Sequence, residues 1–243
     1  MGTATYTQEQ SQVVGQIVAV NTGRAGYYRM LGSLFFTELT QDQVDHLAAM
    51  DMSVLDGGEA TIAEGYEDMS RYLAKGASNA REQLAVDYAH VFLAAGNYET
   101  YAATPYESVF TSEVGLLMQE ARDEVYKMYC EEHVQPDESL HVPEDHITFE
   151  FQFMATLIER MNDALQAGEF EETLYYAQTC KKFHQEHQIN WVDDLCDAIM
   201  DCAKTRFYRG VSKVTRGYVH METEVIDDVI AALQELRGVK AAA

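Results

Sequence analysis

The longest regular pattern of apolar and polar positions follows Pro143. Apolar residues recur there at intervals of four and three positions, which is the spacing of one face of an α-helix. They are Ile147, Phe151, Met154, Ile158, Met161 and Leu165. Gly168 comes after the last of them, and glycine favours the left-handed backbone that often ends a helix. The pattern therefore predicts a helix with a continuous buried face that ends at this glycine.

The same helical period appears in other parts of the chain. One set is Trp191, Leu195, Ile199 and Cys202, and another is Val225, Ile226, Val229, Ile230 and Leu233. Trp191 begins its set and is therefore predicted to lie in the core. Thr40 directly precedes QDQVDHL and is predicted to cap a helix start.

The prolines also favour helices. Pro105, Pro136 and Pro143 all fall in one window, so the long flanking regions have no proline to interrupt a helix. Together with the absence of hairpin-type turn sequences, this predicts an all-α fold of about ten helices. Residues 1–243 are predicted to form a single helical domain. A hinge between two helical subdomains, if present, is expected near residues 166–170.

Two stretches lack the helical pattern, residues 96–113 and 133–143. The first is rich in aromatic side chains: Tyr98, Tyr101, Tyr106 and Phe110. Loops in a helical scaffold often carry function. Two interpretations of Tyr106 and Phe110, which stand beside Glu107 and Ser108, are equally good. They form the wall of a peptide site, or they fill the core beneath a loop.

Charge narrows the classes of partner. The chain has 17 Lys and Arg against 40 Asp and Glu, a net charge of −23. Such a surface repels nucleic acid and anionic membranes and attracts basic ligands. We expect no transmembrane helix and no secretory signal, because no long uncharged apolar run exists. The four cysteines form no CxxC pair and fit reduced thiols in the cytoplasm.

The residues Pro143, Glu144, Asp145 and His146 form a candidate site. Proline suits a helix start, and acids in a first helical turn are favoured by the free N–H groups there. His146 and Glu150 are four positions apart and should share a helix flank. We expect Asp145 and His146 to lie at the rim of the core. Acid–base chemistry by Asp145, His146 and Glu150, a metal site, a grip on a cationic peptide and a purely structural histidine all remain open.

Metal and nucleotide motifs are weak or missing. His184 and His187 have ligand-like spacing, as do Asp87 and His90, but Glu-x-x-His occurs only once, at Glu138 and His141 in a stretch without the helical pattern, and HExxH does not occur. We interpret these histidines as lying on solvated helix faces and predict no bound metal. The phosphate-loop, GxGxxG and GxSxG sequences are also absent.

Four segments in a fixed order carry a family resemblance. They are YYRMLGSLFF, DYAHVFLAAGNYETYAATPYESVF, VPEDHITFEFQFM, and KFHQEHQINWVDDLCDAI followed by FYRGVSKV. Over about residues 24–236 the chain resembles the TorD/DmsD family of cytoplasmic chaperones, related to the NarJ type, which mature molybdenum redox enzymes.

The resemblance implies a TorD-like helical fold and no catalysis. It implies binding of the twin-arginine signal peptide, or of the cofactor-free form, of a molybdopterin oxidoreductase, which is held back from export until cofactor insertion. The resemblance also implies a monomer or a domain-swapped dimer, and weak binding of guanine nucleotide. It implies no bound cofactor. A regulatory module without such a client is a further alternative.

By this resemblance, the Pro-x-Asp-His motif of the family corresponds to Pro143, Asp145 and His146. Two aromatic positions of the family correspond to Tyr106 and Phe36. With Glu144 and Glu107 these residues form the predicted peptide site. Val142 stands where several relatives carry an acid, which leaves one carboxylate fewer to pair with a peptide arginine.

Overall fold

The computed structural model describes residues 6–54, 57–76, 78–95 and 102–241. Within these ranges the chain forms ten α-helices, two short 3-10 helices and no β-strand. The α-helices are α1 (Gln8–Phe36), α2 (Gln41–Ala49), α3 (Ala60–Leu73), α4 (Ala80–Phe92), α5 (Glu107–Thr111), α6 (Glu120–Glu131), α7 (Ile147–Ala167), α8 (Phe170–His187), α9 (Val192–Cys202) and α10 (Arg206–Ala241). The predicted all-α class is confirmed. Tyr98 and Tyr101 lie outside the described residues.

Helix α7 lies at the centre of the fold, packed between α1 and α8. All six positions of its predicted apolar face are at most 1% exposed. Gly168 ends the helix with φ = 78°, a left-handed conformation that costs glycine little. The predicted helix and its end are confirmed. The hinge near residues 166–170 stays a prediction.

Helix α10 packs along α3, and two glycines allow the backbones to approach. A Cβ atom at Gly65 would lie 2.7 Å from the carbonyl oxygen of Gly210, and one at Gly210 would lie 2.5 Å from the carbonyl oxygen of Gly65. Any larger residue at either position would force the two helices apart.

Two local predictions are also confirmed. Thr40 caps α2, where its side chain accepts a hydrogen bond from the backbone N–H of Gln43. Trp191 is fully buried, directly before the first residue of α9. Its indole N–H donates to the carbonyl oxygen of His187 at 2.7 Å, so its polar atom is satisfied inside the core.

Candidate functional site

The aromatic loop and the stretch that begins at Val142 meet through backbone hydrogen bonds. The N–H of Glu107 donates to the carbonyl oxygen of Asp145 at 3.0 Å, and the N–H of Ile147 donates to that of Pro105 at 3.0 Å. Tyr106 and His146 therefore face each other in an isolated antiparallel bridge. The structure brings together two regions that lie about 40 positions apart in the sequence.

Asp145 lies inside the protein, where it caps the start of α5. Its Oδ2 accepts a hydrogen bond from the backbone N–H of Ser108 at 2.9 Å, and the residue is 0% exposed. Its Oδ1 has no hydrogen-bond partner among the described residues. Burial raises the pKa of this carboxyl, although the hydrogen bonds from Ser108 oppose the rise. The prediction that Asp145 lies at the rim is wrong, because the bridge to α5 covers it.

His146 is the N-cap of α7 and is also buried. Its Nδ1 accepts the backbone N–H of Thr148 at 3.2 Å. The ring centroid lies 4.8 Å from that of Tyr106 and 6.4 Å from that of Phe36, both edge-on. Burial lowers the pKa of His146 to about 3, so the ring is neutral at physiological pH. Its predicted rim position is wrong for the same reason as that of Asp145.

The start of α7 also differs from the prediction. Because the helix begins at Ile147, Glu144 and Asp145 precede its first turn rather than forming it. These two ring contacts make Tyr106 and Phe36 half-buried neighbours of His146. The predicted peptide-site residues are therefore near one another, but Asp145, His146 and Glu107 are not on the surface.

Glu107 anchors α5 to the end of α8. Its Oε2 is 2.9 Å from Nδ1 of His187, and its Oε1 accepts from the amide of Asn190 at 2.6 Å. Glu107 and His187 are 1% and 2% exposed, and His184 is 1% exposed. The interpretation of His184 and His187 as solvated is wrong. Both lie on the face of α8 that packs against the core.

Glu150 is a second buried acid with no paired charge. Neither of its carboxyl oxygens has a hydrogen-bond partner among the described residues. Burial, reinforced by the nearby carboxyls of Glu107 and Asp145, raises its pKa well above the usual range. Burial therefore favours the neutral form of this carboxyl.

The acid–base alternative requires that a substrate reach these groups. Asp145 and Glu150 are 0% exposed and His146 is 5% exposed. A small molecule reaches them only if the α5 segment moves away from α7. Asp145 and His146 instead join the start of α7 to that of α5.

Glu144 is half-buried and lies in a shallow cleft. Arg122 of α6 donates to it through two nitrogens, Nε to Oε2 at 2.6 Å and Nη2 to Oε1 at 2.8 Å. The cleft has a volume of about 370 Å³, and its lining includes Met118, Tyr126, Pro143 and Glu144. We call it the Glu144 cleft.

An exposed apolar segment links α5 to α6, and sequence analysis did not single it out. Val114, Leu116, Leu117 and Met118 have exposed fractions of 64%, 60%, 43% and 56%. We call residues 112–119 the apolar loop. The apolar part of this loop, VGLLM, has the hydropathy of a core segment. It is too short for a buried helix, however, and it lacks the 3.6-residue period.

The apolar loop borders a large open cleft. This cleft has a volume of about 1100 Å³ and runs along α9, so we call it the α9 cleft. Its lining includes Val109, Phe110 and Val114, the exposed carboxylates of Asp194 and Asp201 from α9, and the cationic side chains of Lys204 and Arg209. Phe110 is stacked on Trp191 with ring centroids 5.6 Å apart. Phe110 thus both covers the core and forms part of an open apolar wall.

In the described parts of the chain, no helix is long and apolar enough to cross a membrane. The described residues also contain no group of three or more His, Cys, Asp or Glu with the geometry of a metal site.

Comparison with known proteins identifies the family. The model of the nitrate reductase delta subunit family matches residues 56–197, more than half of the chain. A chaperone protein TorD of Vibrio atlanticus is 27% identical over 213 residues, which cover 86% of this chain and 96% of the relative. The chaperone protein TorD of Vibrio parahaemolyticus is 26% identical over the same shares, and that of Aliivibrio fischeri is 22% identical over 88% and 99%. The chain therefore belongs to the nitrate reductase delta subunit family, as its resemblance to TorD and NarJ chaperones indicated, and it is a chaperone of redox-enzyme maturation.

Proposed function

We propose that the client is a molybdopterin oxidoreductase and that this chain binds its twin-arginine signal peptide or its cofactor-free form. Binding delays export until the cofactor has been inserted. The protein acts in the cytoplasm, carries no resident metal and catalyses no reaction of its own. Weak guanine-nucleotide binding and a monomer or domain-swapped dimer remain part of the proposal by family resemblance.

The observation that carries the proposal is the apolar loop beside the α9 cleft. Four large apolar side chains in one five-residue stretch are at least 43% exposed. A soluble protein exposes such a contiguous patch at a cost in solubility, and patches of this kind often mark binding surfaces. A signal peptide offers a matching apolar stretch.

Charge supports a basic partner. The net charge of −23 raises the encounter rate with a positively charged segment. Asp194 and Asp201 lie at the α9 cleft, whose lining also contains Lys204 and Arg209, and Glu144 lies at the second cleft. The arginines of a twin-arginine leader would pair with such carboxylates, because a guanidinium donates two parallel hydrogen bonds to one carboxylate.

The buried groups have a supporting role in this proposal. Asp145 and Glu107 both hold the start of α5: Asp145 accepts from the N–H of Ser108, and Glu107 pairs with His187. Helix α5 leads directly into the apolar loop. Asp145, His146 and Glu107 are therefore proposed to position the binding surface rather than to touch the peptide. Phe36 and Tyr106 support the same junction through His146.

A capture experiment tests the proposal. The tagged chain is exposed to lysate from cells with normal molybdopterin synthesis and from cells in which that synthesis is blocked. We expect it to retain the catalytic subunit of a molybdopterin oxidoreductase with an uncleaved signal peptide, mainly from the blocked cells. Equal retention of the cofactor-loaded enzyme would contradict the proposal, and retention of only leaderless proteins would favour the regulatory-module alternative.

A matched pair of variants ties capture to the surface. Leu116→Ser with Leu117→Ser removes apolar area from the loop, while Val20→Ser removes an apolar group that is 48% exposed on α1. We expect the loop variant to lose capture and the α1 variant to retain it. Equal behaviour of the two would exclude the apolar loop as the binding surface.

A further inference from the structure

Arg122 and Glu144 form a complete guanidinium-binding arrangement on the surface of the protein. The guanidinium makes two hydrogen bonds to one carboxylate, at 2.6 and 2.8 Å. Its Cζ lies 4.9 Å from the centroid of the Tyr126 ring. A carboxylate on one side and an aromatic face on the other is the environment in which proteins hold an arginine side chain.

The arrangement is reachable from solvent. The side chains of Arg122 and Glu144 are 22% and 19% exposed, and Tyr126 is 36% exposed. Asp137 contributes a second carboxylate to the lining of the Glu144 cleft. With Arg122 moved aside, the lining would present two carboxylates and an aromatic ring, with no arginine or lysine beside them and with His141 as its basic side chain.

Arg122 is placed where helix electrostatics do not favour it. It lies in the first turn of α6, where the free backbone N–H groups favour acids over cations. It also has another partner close by, because its Nη1 lies 3.0 Å from Oδ1 of Asp123, which is 76% exposed. Arg122 is thus able to leave Glu144 without becoming an unpaired charge.

We propose that the Glu144 cleft binds an arginine side chain of the client peptide, and that Arg122 occupies this cleft in the free protein as an internal substitute for the ligand. The incoming guanidinium displaces Arg122 toward Asp123 and takes its place between Glu144 and Tyr126. This proposal rests on the proposed function for the source of the arginine. The internal arginine weakens peptide binding and favours ligands whose own arginine fits the cleft.

The presence of Val142 is consistent with this arrangement. Val142 and Pro143 line the cleft next to Glu144, and neither carries a charge. Glu144 therefore supplies the paired carboxylate at this end of the cleft, and its occupation by Arg122 controls the access of another guanidinium.

The first test uses arginine amide as a probe and needs no client. Methyl-labelled methionine reports the cleft by NMR, because Met118 lies in its lining, and Met118→Leu assigns the signal. In Arg122→Gln we expect arginine amide to shift the Met118 methyl resonance at a concentration at least about fivefold lower than in the unaltered chain, since the competing pair is gone. Lysine amide should produce a smaller shift, because an ammonium cannot form the bidentate pair.

The second test uses a peptide with two adjacent arginines, measured by titration calorimetry. Arg122→Gln should tighten binding about three- to tenfold, and Arg122→Lys, which keeps the charge, should give a smaller gain. Arg29→Gln is the matched control. It also removes one positive charge and breaks a two-nitrogen pair, with Glu159, but outside the Glu144 cleft.

The outcomes separate the two proposals. An equal gain in Arg29→Gln and Arg122→Gln, or no gain in folded Arg122→Gln with either probe, would overturn the inference while leaving peptide binding intact. If the unaltered chain binds no twin-arginine peptide but Arg122→Gln still responds to arginine amide, the cleft is supported and the proposed client is not. Thermal melts establish that each variant is folded.

Discussion

Two buried polar clusters in this protein are built in opposite ways. The first joins α1, α7 and α10: Arg24 donates three hydrogen bonds to Glu222, at 2.8 to 3.1 Å, and one to Asn21. Asn21 in turn donates to Asn162 at 2.9 Å. Charges balance in this cluster, and each polar side-chain atom has a partner.

The second cluster gathers Glu107, Asp145 and Glu150 with His187 as a basic neighbour. Three carboxyl oxygens, Oδ1 of Asp145 and both of Glu150, lack a hydrogen-bond partner among the described residues. Buried polar groups without partners destabilise a fold and are retained mainly where function requires them. The first cluster therefore fixes how the long helices pack. In the second, Asp145 and Glu107 hold α5, whereas Glu150 makes no such bond and adds a cost in stability.

The largest expected effect is in the first cluster. Glu222→Leu would leave the Arg24 guanidinium buried without its counter-charge, and we expect it to lower the free energy of unfolding by about 3–5 kcal/mol. The measurement is urea denaturation. The double variant Arg24→Met with Glu222→Leu should regain much of the loss, and a single-variant loss below about 1 kcal/mol would show that this cluster does not hold the helices together.

Removing the unpaired acid Glu150 from the second cluster should raise the free energy of unfolding, whereas the change in the first cluster lowers it. The pKa of Glu150 is raised in the folded state, so the folded chain keeps a proton that the unfolded chain releases above about pH 4.5. Stability is therefore fully present below that pH and is lost as pH rises toward the folded pKa, by about 1.4 kcal/mol per unit.

Glu150→Gln removes this titration. We expect the variant to gain stability relative to the unaltered chain as pH is raised from about 5 to about 7.5, by at least about 1.4 kcal/mol in free energy of unfolding. Denaturation at both pH values measures the difference. A difference that does not change with pH would mean that Glu150 is not held neutral.

His146 should give a smaller effect at acidic pH. Its folded pKa is lowered to about 3, so the unfolded chain binds a proton between about pH 6.5 and that value while the folded chain does not. This contribution destabilises the fold as pH falls, by up to about 1.4 kcal/mol per unit.

His146→Asn keeps an N-cap acceptor and removes the titration. At about pH 5.5 we expect the acid-induced loss of stability to be about 1 kcal/mol smaller in the variant than in the unaltered chain. The expected difference disappears above about pH 7.5. An unchanged pH profile would contradict a buried, neutral His146.

The contrast also explains which features were predictable from the sequence. The buried face of α7, the end at Gly168 and the burial of Trp191 follow from local periodicity, and all three are confirmed. The burial of Asp145 depends on the backbone bridge to α5. No pattern within either segment encodes that contact, so their polarity and position predicted a rim.

The apolar loop differs from its predicted burial in the opposite sense, because apolar residues there are exposed. Hydropathy alone assigns Leu116 and Leu117 to a core, yet both side chains face solvent. The signal was a short apolar run without a helical period, placed between two segments rich in acids. The burial of His184 and His187 is likewise hidden by their spacing, which suggests metal ligands, whereas both lie on the buried face of α8 with Phe183 and Cys180.

The most direct measurement is titration of a twin-arginine signal peptide into three proteins: the unaltered chain, Leu116→Ser with Leu117→Ser, and Glu150→Gln. Substitutions at exposed positions change stability by less than about 0.5 kcal/mol, so the loop variant should be folded. Glu150→Gln should also be folded, because it keeps the size of a buried side chain and removes its titration. The account predicts that the loop variant loses at least about tenfold in affinity, while Glu150→Gln binds as the unaltered chain does. Full affinity in the loop variant together with loss of affinity in Glu150→Gln would contradict it, because the peptide would then depend on the buried cluster and not on the exposed surface.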